Sequence, residues 1–138
     1  MKIVDVQTYP LMYMKDAPKI PRTFLLCKVT TDEGLFGWGE ASSAYGHSYP
    51  LVVKEIIDHT LKRLILGEDP SDIERLVSKM RTWIWGYLGT TGVSNQAIAA
   101  VEIALMDILG KRANLPLYRL LGANRDAIEL YATGAANF

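Results

Sequence analysis

The chain has 138 residues, of which 49% are hydrophobic, and its fifteen Lys and Arg cancel its fifteen Asp and Glu. This is the size and balance of one domain with a sizeable core. It excludes the broad positive footprint that nucleic acid or an anionic membrane requires, so neither is expected as a partner.

The single Cys27 has no partner for an intrachain disulfide and stands in an apolar run, which predicts a buried, inert thiol. Residues 1 to 5 lack the apolar core of a signal peptide. No uninterrupted apolar run reaches the roughly 18 residues of a membrane span. The expectation is a cytoplasmic protein.

Residues 2 to 14 are rich in Ile, Val, Thr and Tyr, and they predict a strand in which Pro10 marks an edge or a bulge. The next eight, Lys15 to Arg22, hold two prolines and three cations and read as a stiff loop whose surface would attract an anion. Thr23 to Thr31 predicts a second strand. Asp32-Glu33-Gly34 is a turn with Gly available for positive φ, and Leu35 to Ala41 returns as a third strand. Three antiparallel strands in a meander leave one face for later helices to cover. Ser42 to Pro50 follows, full of hydroxyls, with Tyr45, His47 and Tyr49. Its composition suits a binding loop, and equally a polar surface loop.

Leu51 to Leu66 predicts an amphipathic helix, with Val53, Ile56, Ile57, Leu61, Leu64 and Ile65 on one face. His59 falls on its polar side and reads as a solvated residue. Asp69 and Pro70 predict the N-cap and first residue of a helix reaching about Tyr87. Near its end Trp83, Trp85 and Tyr87 cluster, which fits packing in a core or a subunit contact better than a stacking platform. Leu88 to Gly92 is a break and lacks the Lys-Ser/Thr ending of a phosphate loop. Ser94 then predicts an N-cap, with Val93 and Ile98 as a hydrophobic staple.

The helix that follows carries Ala97, Ala100 and Ala104 in one strip, beside Val101, Leu105 and Ile108. Small residues in a row let another backbone come close. Ile98, Ile103, Met106 and Leu109 continue the apolar character around the circumference, the pattern of a helix buried among several neighbours. Glu102 and Asp107 lie about 140° apart on the wheel and cannot converge on one metal. Asp107 and Lys111, four apart, are placed to pair. Leu117 to Leu121 predicts a helical turn ending at Gly122. Asp126 to Thr133 predicts a last strand, for which no later partner follows in the sequence.

The run Ala97, Glu102, Ala104, Leu105, Asp107, Gly110-Lys111, Pro116-Leu117, Leu120-Leu121-Gly122 resembles the signature of the mandelate racemase and muconate lactonizing enzyme family of the enolase superfamily. The likeness extends to Thr31-Asp32-Glu33-Gly34 and Gly37-Trp38-Gly39-Glu40-Ala41 and to the order of the elements. It implies an α+β fold: an enolase-like N-terminal capping domain over residues 1–125, with residues 126–138 as the first strand of a (β/α)-barrel. It also implies a larger enzyme in which magnesium holds a substrate carboxylate while a base removes the neighbouring α-proton.

In the family, the metal ligands and bases lie on later barrel strands, so no catalytic or metal-binding residue is assigned within 1–138. This chain alone is expected to be inactive. The two capping loops of the family resemble Lys15 to Arg22 and Ser43 to Pro50, which makes Lys19, Arg22, Tyr45 and His47 the candidate substrate contacts. Hydroxyl-rich loops suit a polyhydroxylated acid. The implied activity is sugar-acid dehydration, with racemisation, epimerisation or cycloisomerisation as alternatives, carried out by a homo-oligomer. A separate reading is a stand-alone α+β interaction module that uses the apolar helix as an oligomer contact.

Overall fold

The computed structural model describes residues 1–13, 22–42 and 49–130. Three strands, β1 (Ile3–Tyr13), β2 (Arg22–Thr31) and β3 (Phe36–Ala41), form an antiparallel meander in the order β1-β2-β3. In β2 the residues alternate strictly: Thr23, Leu25, Cys27, Val29 and Thr31 are buried and the residues between them are half-exposed. The period of two is that of a sheet with one covered face. Gly34 takes φ 81° in the β2–β3 turn, a conformation that favours glycine.

The cover is helical. α1 (Pro50–Ile56) runs through a π-helical turn (Ile57–Leu61) into α2 (Lys62–Ile65) as one rod with helical backbone angles at each junction. Val53, Ile57, Leu61 and Ile65 are all fully buried along it. Their spacing of four overshoots the α-helical repeat, and the wide π turn absorbs the difference so that all four face the sheet. His59 stands on the far side, exposed, 3.2 Å from Glu55.

α3 (Ile73–Leu88) buries Ile73, Leu76, Val77, Met80 and Ile84. It starts later than the sequence suggests. Asp69 does not cap it: the Asp69 carboxylate accepts the Ser71 amide at 2.9 Å, and its carbonyl accepts the Asp72 amide, closing a separate turn that ends before the helix begins. Pro70 is buried in that turn.

α4 (Val93–Ala113) is the central element. Ala97, Ala100, Val101, Ala104, Leu105 and Ile108 are buried, and the helix lies antiparallel on β3. A Cβ at Gly37 would overlap the Ala104 carbonyl oxygen, and one at Gly39 the Ala100 carbonyl oxygen. The alanine strip and the two glycines are therefore two halves of one seam, in which helix and strand backbones touch. By length and composition α4 could cross a bilayer, yet half of that window is buried inside this fold.

Ser94 is not the cap. Gly92, at φ 64°, holds that position, and the fully buried Ser94 hydroxyl donates to the Leu88 carbonyl at 3.1 Å. It satisfies the open end of α3 instead of the start of α4, and Val93 is the first residue of the helix, not the residue before its cap. At its C-terminus α4 ends on Asn114 in the left-handed conformation, followed by α5 (Leu117–Leu120).

The strand expected from Asp126 is not formed over its described part. Residues 127–130 have no ladder partner, and Ile128 and Leu130 are 75% and 92% exposed. An isolated extended segment has nowhere to place its backbone hydrogen bonds.

Candidate functional site

Strand register fixes where the two loop-like segments depart. Tyr13 pairs with Arg22, and Ala41 pairs with Leu25. Residues 14–21 and 43–48 therefore leave from the same end of the sheet. α1 begins there, directly after Tyr49, and α4 begins there too, since Gly39 lies against Ala100 while Gly37 lies against Ala104 further along the helix. The C-terminus of α3 is tied to the same place by Ser94 and by Trp85, whose indole donates to Asn95 at 3.2 Å.

This end shows its apolar side chains. Met12, Tyr13, Tyr49, Leu51 and Tyr87 are all well exposed, and the β1–β2 ribbon extends beyond the end of β3. Trp83 and Tyr87 stack with ring centroids 6.2 Å apart, on the surface and not in the core. Among the described residues, the side-chain oxygen of Gln96 in the first turns of α4 is buried with no hydrogen-bond partner. Sequence reading missed that atom, because nothing in a lone Gln signals burial.

Of the four candidate contacts, Arg22 is described. It is exposed at the first position of β2, at the end from which both segments leave. Lys19, Tyr45 and His47 lie outside the described residues. Beneath this end a polar network joins α1 to β1: the Thr8 hydroxyl donates to Asp58 at 2.8 Å, and Lys54 donates to both Thr8 and Asp58. Lys54 and Asp58 lie four apart on the helical rod and pair along it.

The acids are committed to cations elsewhere as well. Asp107 pairs with Lys111 at 2.7 Å and Asp5 with Lys62 at 2.6 Å. Among the described residues no three His, Cys, Asp or Glu side chains converge on a point that could hold a metal. Cys27 lies at the centre of the sheet, fully buried, and desolvation pushes its thiol up to about 12, far from the nucleophilic range.

A profile of the mandelate racemase / muconate lactonizing enzyme N-terminal domain matches residues 4–122. The chain belongs to this family, through that domain. It is 36% identical over 121 residues to L-talarate/galactarate dehydratase of Salmonella typhimurium, covering 86% of this chain and 29% of that enzyme. It superposes on 3,6-anhydro-D-galactonate cycloisomerase of Zobellia galactanivorans with a TM-score of 0.77 and 33% identity, over 88% of this chain and 32% of that one. An enolase of Agrobacterium radiobacter, its structure bound to Na and L-malate, gives a TM-score of 0.74 and 31% identity over 95% and 30% of the two chains. The chain thus spans about a third of the length of these relatives.

Proposed function

We propose that this chain is the substrate-capping part of a larger enzyme that removes the α-proton of a carboxylate, and that the reaction is dehydration of a sugar acid. The observation that carries the reading is the likeness to a galactarate-class dehydratase across 86% of the chain. The convergence of both departing segments on one end of the sheet supports it. That end would face the reaction centre. Arg22, Lys19, Tyr45 and His47 would contact the distal part of the substrate, and the cap would exclude water from the reacting carbon. In this reading residues 1–125 form the cap and residues 126–138 start the catalytic domain.

Magnesium would stabilise the negative charge that develops on the substrate carboxylate. The described residues do not fit such an ion, since no three of their acids, histidines or cysteines converge, and Asp5, Asp58 and Asp107 are each held by a lysine. A cycloisomerase reading is favoured by the Zobellia likeness and shares the same proton abstraction.

In the enzyme polypeptide that carries this domain, Tyr45→Ala and His47→Ala are expected to raise KM for aldonic or aldaric acids. Unchanged KM and kcat for both would remove the contact assignment. Product analysis separates the two reactions: loss of water gives a 2-keto-3-deoxy acid, whereas an isomerase conserves mass. The intact mass of the natural polypeptide separates both from a stand-alone interaction module, which would match the mass of 1–138.

A further inference from the structure

The sheet has two free edges among the described residues, and both are closed in the same way. On β3 the residues 36, 38 and 40 turn their backbone groups away from β2, because Gly37, Gly39 and Ala41 share its parity toward Val29, Cys27 and Leu25. Two of those outward groups are taken by one acid–lysine pair on α4. The Trp38 amide donates to the Asp107 carboxylate at 2.9 Å, Lys111 donates to the Phe36 carbonyl at 2.8 Å, and Lys111 and Asp107 pair at 2.7 Å. Lys111 also lies 4.7 Å over the Phe36 ring.

β1 repeats the arrangement with other residues. The Val6 amide donates to the Asp5 carboxylate at 2.8 Å, Lys62 donates to the Val6 carbonyl at 3.0 Å, and Lys62 and Asp5 pair at 2.6 Å. Below it, Ile3 exchanges hydrogen bonds with Gly67 and Glu68. Further along, Pro10, in phase with Val6, has no amide to offer. A register irregularity between Ile3 and Asp5 bends the same edge.

An uncovered edge strand is a template for pairing with another chain. We propose that the pairs Asp107–Lys111 and Asp5–Lys62 are edge guards, which occupy one amide and one carbonyl on each free edge and so prevent β-strand pairing between two copies of this chain. The occupant that they exclude is a second copy, since antiparallel pairing of like edges is self-complementary about a two-fold axis. Each lysine comes from a helix that packs on the sheet, so the guard stays in place only while the helix does. The inference does not depend on the proposed enzymatic activity.

The guards make a graded prediction. Asp107→Ala with Lys111→Ala opens one edge and should double the mass of the purified protein relative to the parent, in a concentration-dependent way. Adding Asp5→Ala and Lys62→Ala opens both edges and should give assemblies that grow beyond that. Asp107→Asn with Lys111→Arg keeps an acceptor and a donor and should restore the parent's mass. In the parent, amide exchange should find Trp38 and Val6 protected; in the opened, still monomeric variants at low concentration, exchange at these amides should quicken about tenfold or more. Folded four-fold variants with the parent's mass across concentrations would overturn the proposal. So would Trp38 and Val6 amides exchanging in the parent as fast as those of residues 127–130, a result that needs no variant to fold.

Discussion

The two ends of the sheet are built on opposite rules. At the end that carries the β2–β3 turn, charges are paired and backbone groups are taken: Glu68 holds both Arg75 and Lys79 within 2.9 Å, Arg75 also holds Asp72, and the Lys2 amide donates to Asp32. Ile3 is stitched to residues 67 and 68. At the other end, aromatic and aliphatic side chains stand in solvent and the β1–β2 ribbon runs on past its neighbour. The turn end is stitched by ion pairs and backbone bonds, with Leu66 and Leu121 exposed beside them, whereas the other end gathers exposed aromatic rings at Tyr13, Tyr49 and Tyr87. The difference teaches that the domain holds itself together from the closed end and along the seam, leaving the open end free to serve something else.

The largest break in this comparison comes from the seam, because it joins the two ends. Gly39→Ala places a methyl group against the Ala100 carbonyl, backbone against backbone, with no side chain able to swing away. The expected loss is about 3 kcal/mol or more, read as a fall in the denaturation midpoint.

Acid should act next, and on the closed end. The hydrogen bond and charge of Lys62, with help from the Val6 amide and Lys28, hold the Asp5 carboxyl below its ordinary value against partial burial. Lys79 and Arg75 do the same for Glu68, and the Ser71 amide and hydroxyl do so for Asp69. A lowered carboxyl pKa favours the folded state above the unfolded value and loses that contribution as pH falls through the folded one. Thermal stability should therefore hold near neutrality and decline from about pH 4 downward. Lys62→Met should make the decline shallower.

A smaller effect sharpens the picture at the open end. Ser94→Ala removes the hydroxyl that satisfies Leu88 and is expected to cost about 1 kcal/mol, with faster amide exchange confined to residues 88–95. The smallest is Tyr87→Ser. Its ring is 80% exposed, so stability should change by less than about 0.5 kcal/mol while solubility rises. A large loss would mean that the open end supports the fold after all.

How much of this was legible follows the same division. The meander, its turn glycine and the buried faces of the helices follow from periodicity, and the strip of Ala97, Ala100 and Ala104 announced a close backbone approach before its partner was known. What stayed hidden was reciprocity. Gly37 and Gly39 read as weak strand residues until the helix is laid on them, and Asp107–Lys111 reads as an ordinary helical pair until Trp38 and Phe36 arrive at it. The cap errors have a local origin: Asp69 and Ser94 have the right chemistry for capping, but the Asp69 carboxylate accepts the Ser71 amide in a turn of its own and the Ser94 hydroxyl donates to the Leu88 carbonyl. The candidate contacts were legible as composition only. Register could place Arg22 at the open end, and it fixes where residues 14–21 and 43–48 begin and finish.

The π turn in the first helical rod has a consequence for how this chain can vary in length. With Val53, Ile57, Leu61 and Ile65 each four apart, the rod carries one residue more than a plain α-helix needs to keep that face inward. Removing the exposed His59 would leave the buried positions spaced four, three and four, the ordinary α-helical stripe. Most core helices lose their phase when a single residue is deleted. This one holds a spare, so a deletion at that point leaves the core face in phase.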